Sequence, residues 1–285
     1  MQKSENTVKK AGTEHCWSDA LRPSNELITK LHSGPFGAAL AKGQQTFDDL
    51  VDTLRRDKLT KPAVFVGAGT CGMGAGAGKT LEAIREYCKT KKIDVDIVEV
   101  GCIGLCSEEP IVDIKLPGRA RVSFGDVVAD VVPKLFDKAL AGKFDAHHLL
   151  GQFRDERDEA WQGVGYLDEH PFMKLQRRVV LAGSGIIDPT NIDEYIARGG
   201  YSAMAWTLKN KTSQELCDIV ESSGLRGRGG GGFPTGKKWK FALGTTADQK
   251  YLVCNADEGD PGAFMDRAVG ESDPHRLIEG MIIAA

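Results

Sequence analysis

The 285-residue sequence lacks the features that would secrete it or place it in a membrane. No stretch reaches about 18 consecutive apolar residues, the length that a membrane-spanning helix needs. The N-terminal residues have no apolar core like that of a signal peptide. Seven cysteines, an odd number without a secretion signal, predict reduced thiols in a cytoplasmic protein rather than a disulfide framework.

An excess of charge of one sign is also missing, because 37 basic and 40 acidic residues give a net charge of −3. This balance provides no global basic field, so no nucleic-acid partner is expected. With only 11 prolines and no three-residue glycine period, a collagen-like chain is excluded. A hydrophobic content of 41% can form a core, which excludes wholesale disorder.

Glycine is abundant, and many of the 34 glycines lie in two clusters, 67–78 and 224–236. Around the first cluster, apolar runs predict a β-α-β-β-β-α unit of the α/β class. The predicted elements are a strand Ala63–Val66, a helix from about Lys79 to Lys91, a strand Val95–Val100, a hairpin of Pro110–Ile114 and Arg119–Phe124, and a helix Val127–Ala141.

Changes in composition divide the chain into four predicted parts. Residues 1–60 are polar and then weakly helical, and residues 61–145 form the first α/β unit. Residues 146–175 include a charged run typical of a linker. Residues 176–285 begin a second α/β domain.

The first glycine cluster permits three interpretations. The first is a phosphate-binding P-loop, but the sequence misses that motif by one position, because Met73 stands where the leading glycine of the motif belongs. A dinucleotide-binding fingerprint matches Gly67, Gly69 and Gly72, but its expected acid, Glu99, comes 27 residues after Gly72 rather than about 20. The third interpretation is an iron–sulfur site.

Three cysteines carry this third interpretation. Cys71 lies in the first glycine cluster, and Cys102 and Cys106 follow the second predicted strand. Thiolates from two neighbouring loops can hold a cluster whose sulfides face glycine N–H groups. The arrangement resembles the thioredoxin-like [2Fe–2S] ferredoxin domain of NADH dehydrogenases and related hydrogenases, whose cysteine pattern is C-x4-C followed by C-x3-C.

The fourth ligand of such a cluster is open, because Gly76 stands at the second cysteine of that pattern. Cys16, Cys88 or a non-cysteine group are the alternatives. Cys88 falls on the apolar side of the predicted helix, which favours a buried structural thiol. A degenerate thioredoxin-like domain without a cluster is the competing interpretation.

The second glycine cluster combines flexibility with charge and an aromatic side chain. Glycines allow positive φ, so that successive N–H groups converge on a phosphate. Arg228 and Lys238 supply positive charge, and Phe233 offers a face for a planar ring. A flexible linker, the alternative, has no use for these side chains.

An acidic segment follows this cluster. Tyr251–Cys254 is predicted to be a short strand, and Asn255, Asp257, Glu258 and Asp260 come directly after it. Polar groups at the carboxyl end of a strand are typical of cofactor sites in α/β folds. Carboxylates there suit the hydroxyl groups of a ribose or ribityl chain, whereas a solvated acidic turn is the alternative.

Together these motifs resemble the flavoprotein, NADH-binding subunit of complex I-type NADH dehydrogenases. The fused thioredoxin-like unit makes the chain more like the flavin subunits of NAD(P)-linked or electron-bifurcating hydrogenases. The motifs lie within Gly185–Pro189, Tyr195–Tyr201, Ser223–Trp239, Val253–Arg267 and Asp273–Met281.

This resemblance implies a set of residues that bind FMN or the nicotinamide nucleotide. They are Gly227, Arg228, Gly229, Gly230 and Gly232 at the flavin phosphate, Lys238 on FMN, Asn255, Asp257 and Glu258 at the flavin ring and ribityl chain, Phe233 and Phe241 stacked on the dinucleotide, and Asp260 at a nucleotide-site acid. Glu258 is the expected catalytic residue, and Cys71, Cys102 and Cys106 are the expected metal ligands.

The activity that the resemblance implies is hydride transfer between NAD(H) or NADP(H) and FMN, followed by one-electron transfer to iron–sulfur centres. The expected partners are other subunits of a hydrogenase, formate dehydrogenase or complex I-like assembly. A docking or electron-relay module and, on the dinucleotide fingerprint, a Rossmann-type dehydrogenase are the alternatives.

The family continues into a cysteine-rich [4Fe–4S] module, whose C-x2-C-x2-C motif this sequence does not contain. Because the sequence stops inside a predicted helix, we expect a truncated or fragmentary chain that retains FMN weakly or not at all.

Overall fold

The computed structural model describes residues 46–285, so Cys16 and the rest of the predicted N-terminal segment up to residue 45 lie outside the described residues. The described chain forms two compact units. One comprises Lys58–Ile186, and the other comprises residues 46–57 together with Ile187–Ala285.

The first unit holds all five strands of the described chain and three of its helices. These are β1 Ala63–Gly67, α2 Thr70–Ala75, α3 Ala77–Lys91, β2 Asp96–Val100, β3 Val112–Lys115, β4 Val122–Phe124, α4 Val132–Ala139 and β5 Leu149–Gln152. The second unit is helical as described. Its helices are α1 Phe47–Arg55, α5 Ile192–Ala197, α6 Ser202–Asn210, α7 Ser213–Ser222, α8 Thr235–Gly244, α9 Met265–Ser272 and α10 Pro274–Ala284.

The five strands form one mixed sheet in the order β2-β1-β3-β4-β5. β1 and β2 are parallel, because α3 crosses between them, and the remaining pairs are antiparallel. The β-α-β-β-β-α unit predicted from the sequence is therefore present, and the α/β fold class is confirmed.

The core of the first unit lies between the sheet and the helices α3 and α4. Helical spacing on α3 buries Leu81, Ile84, Tyr87 and Cys88 against this sheet. Cys88 is thus part of the apolar core, as its position on the predicted helix indicated, and burial raises the pKa of its thiol.

Three local features differ from the predictions. The first glycine cluster, for which neither a helix nor a strand was predicted before about Lys79, contains the short helix α2. Leu149–Gln152, inside the segment interpreted as a linker, pairs with β4 as an edge strand. Tyr251–Cys254 forms no strand in the described chain, and the side chains of Tyr251 and Val253 are largely exposed. A strand requires a neighbour to accept its hydrogen bonds, which local sequence does not reveal.

Polar contacts hold the helices of the second unit together. Lys240 on α8 pairs with Asp218 and Glu221 on α7, at 2.6 and 2.5 Å. Glu279 on α10 is buried and accepts hydrogen bonds from the Tyr195 hydroxyl and the Tyr201 N–H.

Among residues 46–285, no helix combines the length and the apolar character that crossing a membrane requires.

Candidate cofactor sites

The three predicted metal-ligating cysteines meet at one edge of the sheet. The Sγ atom of Cys106 lies 3.7 Å from that of Cys102 and 3.4 Å from that of Cys71. All three sulfur atoms lie within 4.8 Å of one another. The structure therefore gathers residues separated by up to 35 positions into one set of potential soft-metal ligands.

The topology explains this meeting. Because β1 and β2 are parallel neighbours, the segments that leave their carboxyl ends emerge on the same side. Cys71 lies in the first turn of α2 after β1, and Cys102 follows β2 by two residues. Gly104, at a φ of +90°, turns the loop so that its N–H donates to the Cys102 sulfur at 3.2 Å. An N–H directed at sulfur is the kind of contact that stabilises a thiolate ligand.

Burial favours the neutral form of two of the three thiols, those of Cys102 and Cys106. Cys102 is only 4% exposed, whereas Cys71 is half-buried and Cys106 is exposed. Burial raises the pKa of both Cys102 and Cys106 above the ordinary range for a thiol. A bound metal reverses this preference, because its positive charge replaces the thiol protons.

The donor set fits an iron–sulfur group at three of its four protein positions. Gly76 provides no donor, and a Cβ atom at Gly76 would contact nothing within 4 Å. Cys88 lies in the core, and Cys16 is outside the described residues. Sequence reasoning missed a further neighbour, Glu109, which is buried next to Cys102. Burial raises the pKa of Glu109 to about 7, although a hydrogen bond from the Ile111 N–H acts in the opposite direction.

The dinucleotide interpretation of the first glycine cluster gains no support from the geometry. Glu99, the acid expected at a ribose, lies on the surface and pairs with Arg85 at 3.0 Å. Gly72 instead serves packing, since a Cβ atom there would lie 2.0 Å from the Gly67 carbonyl oxygen. The glycines of this cluster allow α2 to approach the end of β1.

A segment that ends at the first residue of the predicted motif Gly185–Pro189 covers the cysteine loop. Arg178 donates to the Ile103 carbonyl at 2.9 Å, between Cys102 and Cys106. Arg121 donates to the Gly185 carbonyl at 2.6 Å, and Gly185 leaves no room for a Cβ atom beside the Ile103 side chain. Residues 178–185 thus fasten the loop that presents two of the three thiols.

We expect Arg178→Gln to loosen this loop, because it removes the guanidinium that bonds the Ile103 carbonyl. Alkylation of Cys102, followed by mass spectrometry, should become roughly tenfold faster, which corresponds to about 1.4 kcal/mol of local opening. Lys174→Gln changes an exposed cation nearby and should leave the rate unchanged. Equal rates in the two variants would show that Arg178 does not restrain the loop.

The second glycine cluster is a closed loop between α7 and α8. Gly227 N–H donates to the Phe233 carbonyl at 2.8 Å, and Thr235 N–H donates to the Leu225 carbonyl at 2.9 Å. Across the loop, the Arg226 side chain donates to the Gly232 carbonyl at 2.6 Å. Between these hydrogen bonds, the N–H groups of residues 228–232 donate to no group of the described chain.

The surroundings of this loop fit an anionic group with an attached ring. Gly230 and Gly232 have φ values of +98° and +56°, which turn the backbone as a cradle of N–H groups requires. The side chains of Arg228 and Lys238 are exposed. Phe233 and Phe241 are also exposed, and their ring centroids lie 6.4 Å apart.

The predicted acids of the following segment have two different environments. Asp257 and Asp260 are exposed, and Asn255 accepts a hydrogen bond from the Asp257 N–H at 2.9 Å. Glu258 instead accepts from backbone N–H groups at the start of α9, at 2.9 and 3.1 Å. Desolvation by itself raises the pKa of Glu258, but these hydrogen bonds outweigh it and lower the pKa. Its charged carboxylate therefore also stabilises a helix N-terminus, a role the sequence did not reveal.

Comparison with known proteins identifies relatives of the C-terminal region. Residues 220–285 match the Nuo51 FMN-binding domain. The chain is 59% identical over 110 residues to the NADP-reducing hydrogenase subunit HndC of Solidesulfovibrio fructosivorans, covering 39% of this chain and 22% of that protein. It is 55% identical over 95 residues to the NADH-quinone oxidoreductase F subunit of Aquifex aeolicus, covering 33% of this chain and 22% of that protein. The resemblance predicted from the motifs is confirmed, and the chain spans about a fifth of the length of these relatives.

Two solved structures are similar to this chain. A thioredoxin-like [2Fe–2S] ferredoxin from Aquifex aeolicus is 19% identical, with a TM-score of 0.30, over 34% of this chain and 96% of that one. An NAD+-reducing [NiFe]-hydrogenase is 19% identical, with a TM-score of 0.29, over 92% of this chain and 42% of that one.

Proposed function

We propose that this chain acts at the electron-entry point of an oxidoreductase complex, between NAD(P)H and iron–sulfur centres. The observation that carries the proposal is the closed glycine loop, which lies within the region that matches the Nuo51 FMN-binding domain. Bound FMN would supply the chemistry, since it accepts a hydride from the nicotinamide and releases the electrons one at a time.

The loop would hold the FMN phosphate. Five successive N–H groups, those of residues 228–232, have no acceptor in the described chain, and the Arg228 side chain adds a positive charge. Such N–H groups bind anions because their partial charges converge. In this proposal Gly227, Gly229, Gly230 and Gly232 give the phosphate close access to the backbone.

Side chains around the loop would orient the ring systems. Lys238 would contact FMN, while the exposed rings of Phe233 and Phe241 would stack on the dinucleotide. Asn255 and Asp257 would face the flavin ring and ribityl chain, and Asp260 would face the nucleotide.

Glu258, proposed as the catalytic residue, would be held in place by the two α9 N–H groups that it accepts from. The lowered pKa keeps its carboxylate charged, so it would limit how tightly a charged nucleotide product binds.

The three thiols would hold an iron–sulfur group, in this proposal a [2Fe–2S] cluster, that receives single electrons. We propose other subunits of a hydrogenase, formate dehydrogenase or complex I-like assembly as partners. The domain division of the proposal is a ferredoxin-like unit within residues 61–145 and an FMN-binding part within 176–285. The segment between them contributes β5, whereas residues 178–185, which cover the cysteine loop, lie at the start of the second range.

Titration of the 285-residue chain with FMN up to about 1 mM, followed by flavin fluorescence, tests the phosphate site. Loss of a charge-assisted hydrogen bond costs about 1.5–3 kcal/mol, so Arg228→Gln should raise the Kd at least tenfold. Lys237→Gln, a change at another exposed cation, should stay within about twofold of the original chain.

Absence of FMN binding at 1 mM, or equal Kd values for both variants, would contradict the flavin site in this chain. Reduction of ferricyanide by NADH and by NADPH, measured with FMN present, then reports the nucleotide preference. A chain that binds a cluster but no flavin would indicate the docking or electron-relay alternative.

A further inference from the structure

A buried carboxylate lies beside the three clustered thiols. Glu109 is only 6% exposed, and no lysine or arginine within residues 46–285 forms an ion pair with it. The Ile111 N–H donates to its Oε2 atom at 2.8 Å. Burial of a carboxylate without a cationic partner is costly unless it binds a cation or becomes protonated. A bound cation next to Glu109 would therefore explain why a carboxylate is buried at this position.

The fold directs Glu109 towards the cysteines. Glu109 follows the short helical turn Cys106–Glu108, and its side chain enters the space left by two glycines. A Cβ atom at Gly67 would lie 2.9 Å from Oε2, and one at Gly72, next to Cys71, would lie 3.2 Å from it. The acid thus approaches the backbone next to Cys71 and follows Cys106, a second proposed ligand, by three residues.

We propose that the Glu109 carboxylate is the fourth protein ligand of the metal group held by Cys71, Cys102 and Cys106. The inference rests on the proposed iron–sulfur site. Three thiolates leave one position of a four-ligand set unfilled, and Gly76 has no side chain to fill it. Metal binding displaces the thiol protons to solvent and brings a cation to this end of the sheet, close to the buried carboxylate. Carboxylate oxygen is an established ligand of zinc and of non-haem iron.

A different role for the same residue makes a distinct prediction. A protonated Glu109 that only donates a hydrogen bond to the Cys102 thiolate would not touch the metal. Glutamine retains a donor and nearly the same shape but loses the carboxylate, whereas cysteine supplies a thiolate. Glu109→Gln and Glu109→Cys therefore separate ligation from hydrogen bonding.

The test uses the 285-residue chain, reconstituted anaerobically with iron and sulfide or loaded with Co²⁺. Iron and sulfide content, the EPR spectrum of the reduced protein and the half-life under a chelator are measured for each protein. We expect Glu109→Gln to shorten that half-life at least tenfold and to change the EPR g values. Glu109→Cys should restore the half-life and strengthen the sulfur-to-metal charge-transfer absorption. Far-UV circular dichroism checks that each variant folds.

The outcomes separate this inference from the proposed function. EPR spectra, Co²⁺ spectra and half-lives that Glu109→Gln leaves unchanged would overturn ligation by Glu109 and keep the three-thiol site. A cluster in Glu109→Cys or Gly76→Cys but not in the original chain would also overturn it, because thiolates alone would then complete the set. No iron, sulfide or Co²⁺ in any of these proteins would overturn the proposed metal site together with the role of Glu109.

Discussion

Gly72→Ala should destabilise the first unit by about 3 kcal/mol and lower its melting temperature by roughly 10 °C. The added Cβ atom would lie 2.0 Å from the Gly67 carbonyl oxygen, and a backbone atom cannot rotate aside like a side-chain tip. The start of α2 must therefore move away from the end of β1. Because Cys71 precedes Gly72, this movement separates its sulfur from those of Cys102 and Cys106, and Co²⁺ binding should be lost.

Gly74→Ala is the matched control for this variant. It lies in the same helix, but a Cβ atom there would contact nothing within 4 Å. Alanine in an exposed helical position is favoured over glycine by about 0.5–1 kcal/mol, so this variant should be as stable as the original chain or more so. Thermal unfolding followed by circular dichroism, with and without Co²⁺, measures both effects. Similar curves for the two variants would show that α2 does not need its close approach to β1.

Gly236→Ala should have a comparable effect on the second unit, about 3 kcal/mol. Gly236 is buried in the first turn of α8, where a Cβ atom would lie 2.3 Å from the Glu221 nitrogen and 2.4 Å from its Cα atom. The variant must push α8 away from α7 and strain the ion pairs of Lys240 with Asp218 and Glu221. Since the glycine loop connects these helices, FMN affinity should fall with stability.

Gly244→Ala provides the control at the other end of α8, because a Cβ atom there contacts nothing within 4 Å. Its free energy of unfolding should change by less than about 0.5 kcal/mol. Urea denaturation of the three proteins, with tryptophan fluorescence as the signal, gives the comparison. If Gly236→Ala unfolds at the same urea concentration as Gly244→Ala, the close packing of α7 and α8 makes no contribution to stability.

Local sequence was sufficient for the elements with strong apolar signals. Apolar runs predicted β1 and the β3–β4 hairpin, whose strands are buried on both faces, and helical apolar spacing predicted α3. It missed β5, since Leu149–Gln152 is short, contains Gly151, and becomes a strand only by pairing with β4. It also predicted a strand at Tyr251–Cys254, where an apolar run has no neighbouring strand in the described chain.

For the candidate sites, the sequence by itself determined the chemistry. The sequence alone provides the thiols of Cys71, Cys102 and Cys106 and the glycines and cations around Arg228. These side chains define which ligands each site can bind. The tertiary structure decided which of these groups meet. Only the parallel pairing of β1 and β2 brings Cys71 within 3.4 Å of Cys106. Burial of Glu109 beside Cys102 likewise depends on contacts between distant segments, so an acid that looks ordinary in the sequence becomes a potential ligand in the folded chain.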